Sequence, residues 1–272
     1  MSDVLADIEQ WEPDTVAVGV TGPDETLGTH GPIEEALSLA SVTKPLTAYA
    51  VLVAVNDGLL HLDEPAGPTA DEGATVRHLL AHASGLPFED DAPAQSPERR
   101  RVYSNLGYDV LGELVAERAG MPFAEHLRHE VCEPLGMTTE LRGSPAAAGR
   151  GTVSDLLAFG RELLAPKLLP DDLVAEATSV VFDGLDGVLP GFGRQNPNDW
   201  GLGVEVKGDK SPHWAGRRWS PTSFGHFGQS GSFLIVDPEA GIACASLADK
   251  PFGRWASEAW PAFTDAVHEA YA

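Results

Sequence analysis

Apolar and polar positions alternate over Thr15-Val16-Ala17-Val18-Gly19-Val20-Thr21, a run rich in β-branched residues, which predicts a strand. Gly22-Pro23-Asp24-Glu25 supplies a turn, so a second short strand over about 26–29 should pair back. Ahead of this hairpin, residues 3–11 have the spacing of a short amphipathic helix. From about Ala40 to Asn56 the period lengthens. Val42, Leu46, Tyr49 and Val53 fall at i, i+4, i+7 and i+11, a stripe for burial. Pro45 is tolerated in the first turn, where its missing N–H costs little, and Gly58 supplies the stop.

The middle of the chain reads as helices joined by loops. Thr75 to His82 is a short helix ended by Ser84-Gly85-Leu86-Pro87. Ser104 or Asn105 caps a helix carrying Leu106, Val110, Leu111, Leu114 and Val115, closed by Gly120. Further helices are expected from Pro122 to about Glu133 and from Ser154 to Leu164, and residues 183–199 read as a loop. Strands return at Gly201–Lys207 and on both sides of the turn Asp237-Pro238-Glu239-Ala240-Gly241. The tail from Trp255 to Tyr271 is an amphipathic helix. Strands at both ends with helices between predict an α/β (α+β) fold in one domain. Its antiparallel sheet is built from about 1–60 and 195–272, and a mainly helical subdomain of about 61–194 is inserted.

Composition narrows the function. The 272 residues carry 41 acids against 18 Lys and Arg, a formal charge of −23. The one tight basic run is Arg99-Arg100-Arg101, so nucleic acid and anionic membrane surfaces are excluded as partners. Only five of the basic residues are Lys, which suits either a salt-adapted surface or an Arg-favouring genome. The acidic start MSDVLADIEQWEPD lacks the pattern of an export signal, so a cytoplasmic location is expected. Cys132 and Cys244 have no metal or redox spacing and read as buried thiols.

Ser41-Val42-Thr43-Lys44 carries the candidate chemistry. At a helix start, Ser41 and Lys44 are i and i+3 and share one face. A desolvated lysine is a base able to take the serine proton, and the helix N-terminus lends positive potential to an oxyanion. Standing by itself, this pair reads as a solvated helix start with a capping serine. Tyr103-Ser104-Asn105 before a helix and Gly225-His226-Phe227-Gly228 before the last hairpin change that balance. A tyrosine is held rigidly there, an asparagine faces a substrate amide, and Gly228 lets a substrate backbone approach the sheet edge.

With these three boxes the chain resembles the penicillin-recognising serine hydrolases, in particular the class C β-lactamase-like esterase and peptidase branch. The boxes read Ser41-Val42-Thr43-Lys44, Tyr103-Ser104-Asn105 and His226-Phe227-Gly228, supported by His78–Pro87, Glu133–Met137, Gly151–Leu156 and Trp200–Gly203. The resemblance implies acylation of Ser41 by a small ester or amide, with proton work shared by Lys44 and Tyr103. It also implies an oxyanion between the backbone N–H groups of Ser41 and Gln229, an Asn105 that orients the acyl side, and no cofactor. His226 stands where many relatives have Lys, a weaker and pH-dependent cation that favours esterase-like or small amide substrates. β-Lactamase or D-Ala-D-Ala carboxypeptidase activity is the alternative, and a non-catalytic acyl-binding or sensor module is the reading from another class. Pocket walls are expected from 85–100, 183–199 and 208–224, with Trp200, Trp214, Trp219 and Phe227 as candidate linings. Arg194, Arg217 and Arg218 are candidate carboxylate binders or surface charges. His126, His129 and Glu133 read as a solvated polar face rather than a metal site, and Asp90-Asp91 and Asp171-Asp172 as loop and cap charges.

Overall fold

The computed structural model describes residues 4–89 and 92–272, so Asp90 and Asp91 lie outside the described residues. After a 3₁₀ turn over Val4–Gln10, the chain forms β1 (Val16–Thr21) and β2 (Thr26–His30). A short β3 (Leu37–Ser38) and a 3₁₀ turn (Ala40–Val42) lead into α1 (Thr43–Asn56). The inserted region holds α2 (Val76–Leu80), α3 (Leu106–Ala119) and α4 (Phe123–Leu127), then β4 (Glu140–Leu141) and β5 (Gly149–Gly151). There follow α5 (Val153–Leu164), α6 (Asp171–Ala177), β6 (Gly187–Leu189) and β7 (Gly193–Gln195). The chain closes with β8 (Glu205–Val206), β9 (Phe224–Gly228), β10 (Ser232–Asp237), β11 (Ile242–Ala248) and α7 (Arg254–Tyr271).

The main sheet runs β2-β1-β11-β10-β9-β8, antiparallel throughout, so the two ends of the chain interleave in one layer. Both faces are covered. Leu234, Val236, Ala243, Ala245 and Leu247 pack into the core shared with α1, α3 and α5. Val18, Val20, Phe233, Ile235 and Cys244 face the opposite way into a second core with Trp214, Trp219 and Trp260. That double burial is why β10 is apolar at successive positions instead of alternating. It also hides β9: Phe224-Gly225-His226-Phe227-Gly228 has no period to find, yet all five residues are buried.

Other expectations shift locally. The strand expected over 201–207 shrinks to Glu205–Val206, because Gly203 adopts φ +97 and bends the chain beside Ala48. The loop over 183–199 contains the small β6–β7 hairpin. Helix formation after Pro122 ends at Leu127 and passes into a wider π-turn over Arg128–Cys132. At α3 it is Ser104 that caps: its Oγ accepts from the Gly107 N–H at 3.0 Å, while Asn105 makes no cap bond. His126 is not on a solvated face but buried against the Ala50 carbonyl at 3.0 Å, leaving His129 paired with Glu133 at the surface. Asp171 and Asp172 occupy the first turn of α6. Both cysteines are buried and free, and burial pushes the Cys132 thiol up to about 12. Among the described residues no helix is long and apolar enough to cross a membrane.

The start of α5 is fixed by a reciprocal cap, in which Thr152 Oγ1 accepts from the Asp155 N–H and the Asp155 carboxylate accepts from the Thr152 N–H. The same buried carboxylate takes the Thr138 N–H at 2.8 Å and the Thr139 hydroxyl at 2.9 Å. Asp155→Ala strands these donors away from water, and a loss of about 3 kcal/mol is expected. Urea midpoints of the two proteins measure it.

Candidate active site

Ser41 sits in the 3₁₀ turn that feeds α1, and the residue before it, Ala40, is held at φ +44, a conformation that alanine rarely takes. Three contacts impose it. Thr43 Oγ1 donates to the Ala40 carbonyl at 2.6 Å and accepts from the Gly149 N–H at 2.9 Å, while Ser232 Oγ donates to the Leu39 carbonyl at 2.8 Å. Gly228 belongs to this clamp. A Cβ there would lie 2.5 Å from the Leu39 carbonyl oxygen and 2.5 Å from Ser232 Oγ. The glycine is therefore needed for approach of the chain's own turn.

One turn on, Lys44 is fully buried. Its Nζ lies 3.5 Å from Ser41 Oγ, 2.7 Å from Asn105 Oδ1 and 2.9 Å from the Ala146 carbonyl, with the Tyr103 ring centroid at 4.6 Å. Burial lowers its pKa from the ordinary 10.5 to about 7, with partial opposition from the Asp109 charge. Once neutral, the amine keeps two N–H bonds, to Asn105 and Ala146, and has a lone pair left for the Ser41 hydroxyl. The carbonyl oxygen of Asn105 holds Lys44. The Ala146 acceptor comes from Pro145–Gly149, a low-complexity stretch with no chemical signal of its own.

Tyr103 closes the other side. Its ring stacks on His82, whose Nδ1 accepts from the Ser104 N–H, so the tyrosine is positioned through the second copy of His in His78-Leu79-Leu80-Ala81-His82. Burial raises the Tyr103 pKa well above the phenol range, Glu205 adds to the rise, and a hydrogen bond with Ser41 opposes it. The group is a phenol at every working pH. Its hydroxyl lies 3.3 Å from His226 Nε2, and His226 Nδ1 lies 2.6 Å from the Phe227 carbonyl. That carbonyl requires the proton on Nδ1, so Nε2 accepts and the Tyr103 hydroxyl donates to it. Burial, then the Lys44 charge, lower the His226 pKa to about 3. The weak cation expected at this position is in fact a neutral imidazole.

A cavity of about 160 Å³ opens beside Ser41, lined by Phe88, Tyr103, Leu189, Pro190, Trp200 and Phe227, with Glu205, His226 and Gln229 at its polar edge. Two of the three expected loops reach it; 208–224 does not. Trp214 and Trp219 are buried in the second core, and Trp214 Nε1 donates to Glu205 Oε2 at 2.6 Å. Arg194 pairs with Asp186 and Arg218 with Glu269, both on the surface, and Arg217 lines a separate surface cavity. Glu205 escaped the sequence reading, since a lone acid between valines reads as the solvent side of a strand. It is buried, and although burial opposes its charge, Lys210 at 3.2 Å and His213 at 3.1 Å hold its pKa down to about 2. Among the described residues no three His, Cys, Asp or Glu converge as a metal site.

The site sets a serine hydroxyl beside a buried amine, a rigid phenol and a neutral imidazole across an apolar cavity on a mixed α/β scaffold. The chain belongs to the Beta-lactamase family, whose model matches residues 14–267. It is similar to penicillin-binding protein 4* of Bacillus subtilis, 26% identical over 185 residues that cover 55% of this chain and 40% of that protein. Esterase EstB of Burkholderia gladioli is 32% identical over 142 residues, 36% of each chain. The chain thus spans two fifths or less of the length of these curated relatives. A crystal structure of a β-lactamase from Mycobacterium bovis superposes with a TM-score of 0.95 at 48% identity, covering 98% of this chain and 99% of that one.

The depressed Lys44 pKa has a thermodynamic consequence. Between about 7 and 10.5 the folded chain carries a neutral amine and the unfolded chain an ammonium. The unfolded state then binds more protons, so stability rises with pH across that window. Relative to Lys44→Met, wild type should gain on the order of 2 kcal/mol between about pH 7 and pH 9. Paired urea titrations at the two pH values read the difference.

Proposed function

We propose that the protein is a serine hydrolase that forms an acyl-enzyme on Ser41 and passes the acyl group of a small ester or amide to water. The observation that carries this reading is the Lys44 amine: fully buried, poised near neutrality and 3.5 Å from Ser41 Oγ, with its other hydrogens engaged by Asn105 and Ala146. As Ser41 Oγ attacks the carbonyl carbon, its proton moves to the Lys44 lone pair. The carbonyl π pair becomes the oxyanion, received by the backbone N–H groups of Ser41 and Gln229. Tyr103, a neutral phenol, delivers a proton to the leaving oxygen or nitrogen as the acyl bond to it breaks, and is reprotonated from the Lys44 ammonium. Water repeats the sequence in reverse and frees Ser41.

Two of the relatives favour different substrates. D-alanyl-D-alanine-carboxypeptidase/endopeptidase AmpH of Escherichia coli is 24% identical over 139 residues, against 32% for EstB, so an amide of the D-Ala type is the second reading. The neutral imidazole at His226 supports the ester-like choice, because that position offers no positive charge.

Intact mass after treatment with a fluorophosphonate should show one adduct on wild type and none on Ser41→Ala; an unlabelled wild type defeats the proposal. Steady turnover of p-nitrophenyl esters after the first equivalent separates an enzyme from an acyl-binding sensor, which stops at the burst. For a neutral ester, kcat/KM should fall about tenfold per unit as pH drops below about 7, since Lys44 is then protonated. His226→Gln should keep that acid limb, whereas Lys44→Met should lower kcat about 1000-fold.

A further inference from the structure

The Ser41 cavity is an apolar enclosure whose surroundings, among the described residues, hold no available cation. Neither Lys nor Arg is among the residues that line it. The buried cations of the surrounding core are each spent. Lys44 donates to Asn105 and Ala146. The Arg101 guanidinium, 2% exposed, donates to the carbonyls of Ala81, Val181, Phe182 and Asn198. Lys210 is committed to Glu205 and to the carbonyls of Asp199 and Val206. The His226 ring gives its one N–H to the Phe227 carbonyl and presents only an acceptor toward Tyr103. The one formal charge in the lining is the carboxylate of Glu205, and the protein as a whole carries −23.

We infer that the cavity selects acyl groups that carry no charge, admitting a short apolar chain and rejecting one that bears a carboxylate. This rests on the acyl-enzyme reading above and concerns only which acyl groups reach it. Phe88, Leu189, Pro190, Trp200 and Phe227 stabilise a hydrocarbon chain by removing it from water. The same walls strip a carboxylate of its hydration and return no N–H or cation in exchange, and Glu205, compensated by Lys210, offers it no positive partner either. Long-range repulsion by the surface acids acts in the same direction, but salt screens it and leaves the local discrimination in place.

The test compares p-nitrophenyl butyrate with p-nitrophenyl hemisuccinate, acyl chains of similar length that differ in a terminal carboxylate, with p-nitrophenolate release read in the first turnover. Wild type should acylate at least about 100-fold more slowly, in kcat/KM terms, with the hemisuccinate, and most of that ratio should survive at about 0.5 M KCl. Phe88 is 48% exposed at the rim, where it is one of the apolar walls and stacks on Tyr103, so Phe88→Arg places a cation at the mouth and Phe88→Gln serves as its uncharged control for the lost wall. Relative to Phe88→Gln, which loses the same wall, Phe88→Arg should narrow the ratio about tenfold. Equal acylation by the two esters, reaction with neither in a protein that fluorophosphonate labels at Ser41, or a ratio that vanishes in salt overturns the inference and leaves the acyl-enzyme reading intact. A ratio in Phe88→Arg no narrower than in Phe88→Gln overturns its basis in charge. A protein unlabelled at Ser41 overturns the acyl-enzyme reading itself.

Discussion

Removing an amine from water costs more the longer it stays charged, and the whole site is arranged around one amine so removed. Lys44 is sealed under the Tyr103 and Tyr108 rings and between α1, α3 and the segment carrying Ala146. The penalty is relieved by deprotonation near neutrality rather than by a carboxylate partner. A close ion pair in that place would have kept the ammonium charged and useless as a base. Asp109 is the one acid whose charge opposes the shift, and its carboxylate hydrogen-bonds Ser144 instead of the amine. Two neutral oxygens orient the amine without restoring its proton.

The rest of the fold holds the partners of that amine in register. The sheet edge at β9 places His226 opposite Leu234, and the tight fit of Gly228 against the Leu39 turn couples this edge to Ser41. Beyond β9 lies only the two-residue β8. Its Glu205 is anchored by Lys210, His213 and Trp214 from the following segment, and Trp214 is itself embedded in the second core. A buried ionic cluster of this kind contributes little net stability, because desolvation offsets the attraction. Its effect here is positional. It ties 207–219 across the sheet edge, which is why that segment backs the cavity wall and supplies none of the lining.

Legibility in the sequence followed the range of the forces involved. The β1–β2 hairpin, α1, α3, α5, the β10–β11 hairpin and α7 all carry a period, a turn or a cap within a few residues. β9 and the true extent of β8 do not, since one is buried on both faces and the other is cut short by a glycine packed against a distant alanine. In the site, the cluster of Ser41, Lys44, Tyr103 and His226 was found from its three boxes. The acceptor at Ala146, the bracing ring of His82 and the acid at Glu205 were not, because each is defined by what it touches more than 20 residues away or by burial that no local pattern encodes.

What the sequence determined by itself is the set of reactive groups and the spacing that puts Ser41 and Lys44 on one helical face, because that geometry is the helix repeat. Their ionisation was decided by tertiary structure alone. Whether Lys44 is a base, Tyr103 a phenol and His226 a neutral acceptor depends on how completely distant segments exclude water and which hydrogen bonds they return, and neither quantity exists until the chain has folded.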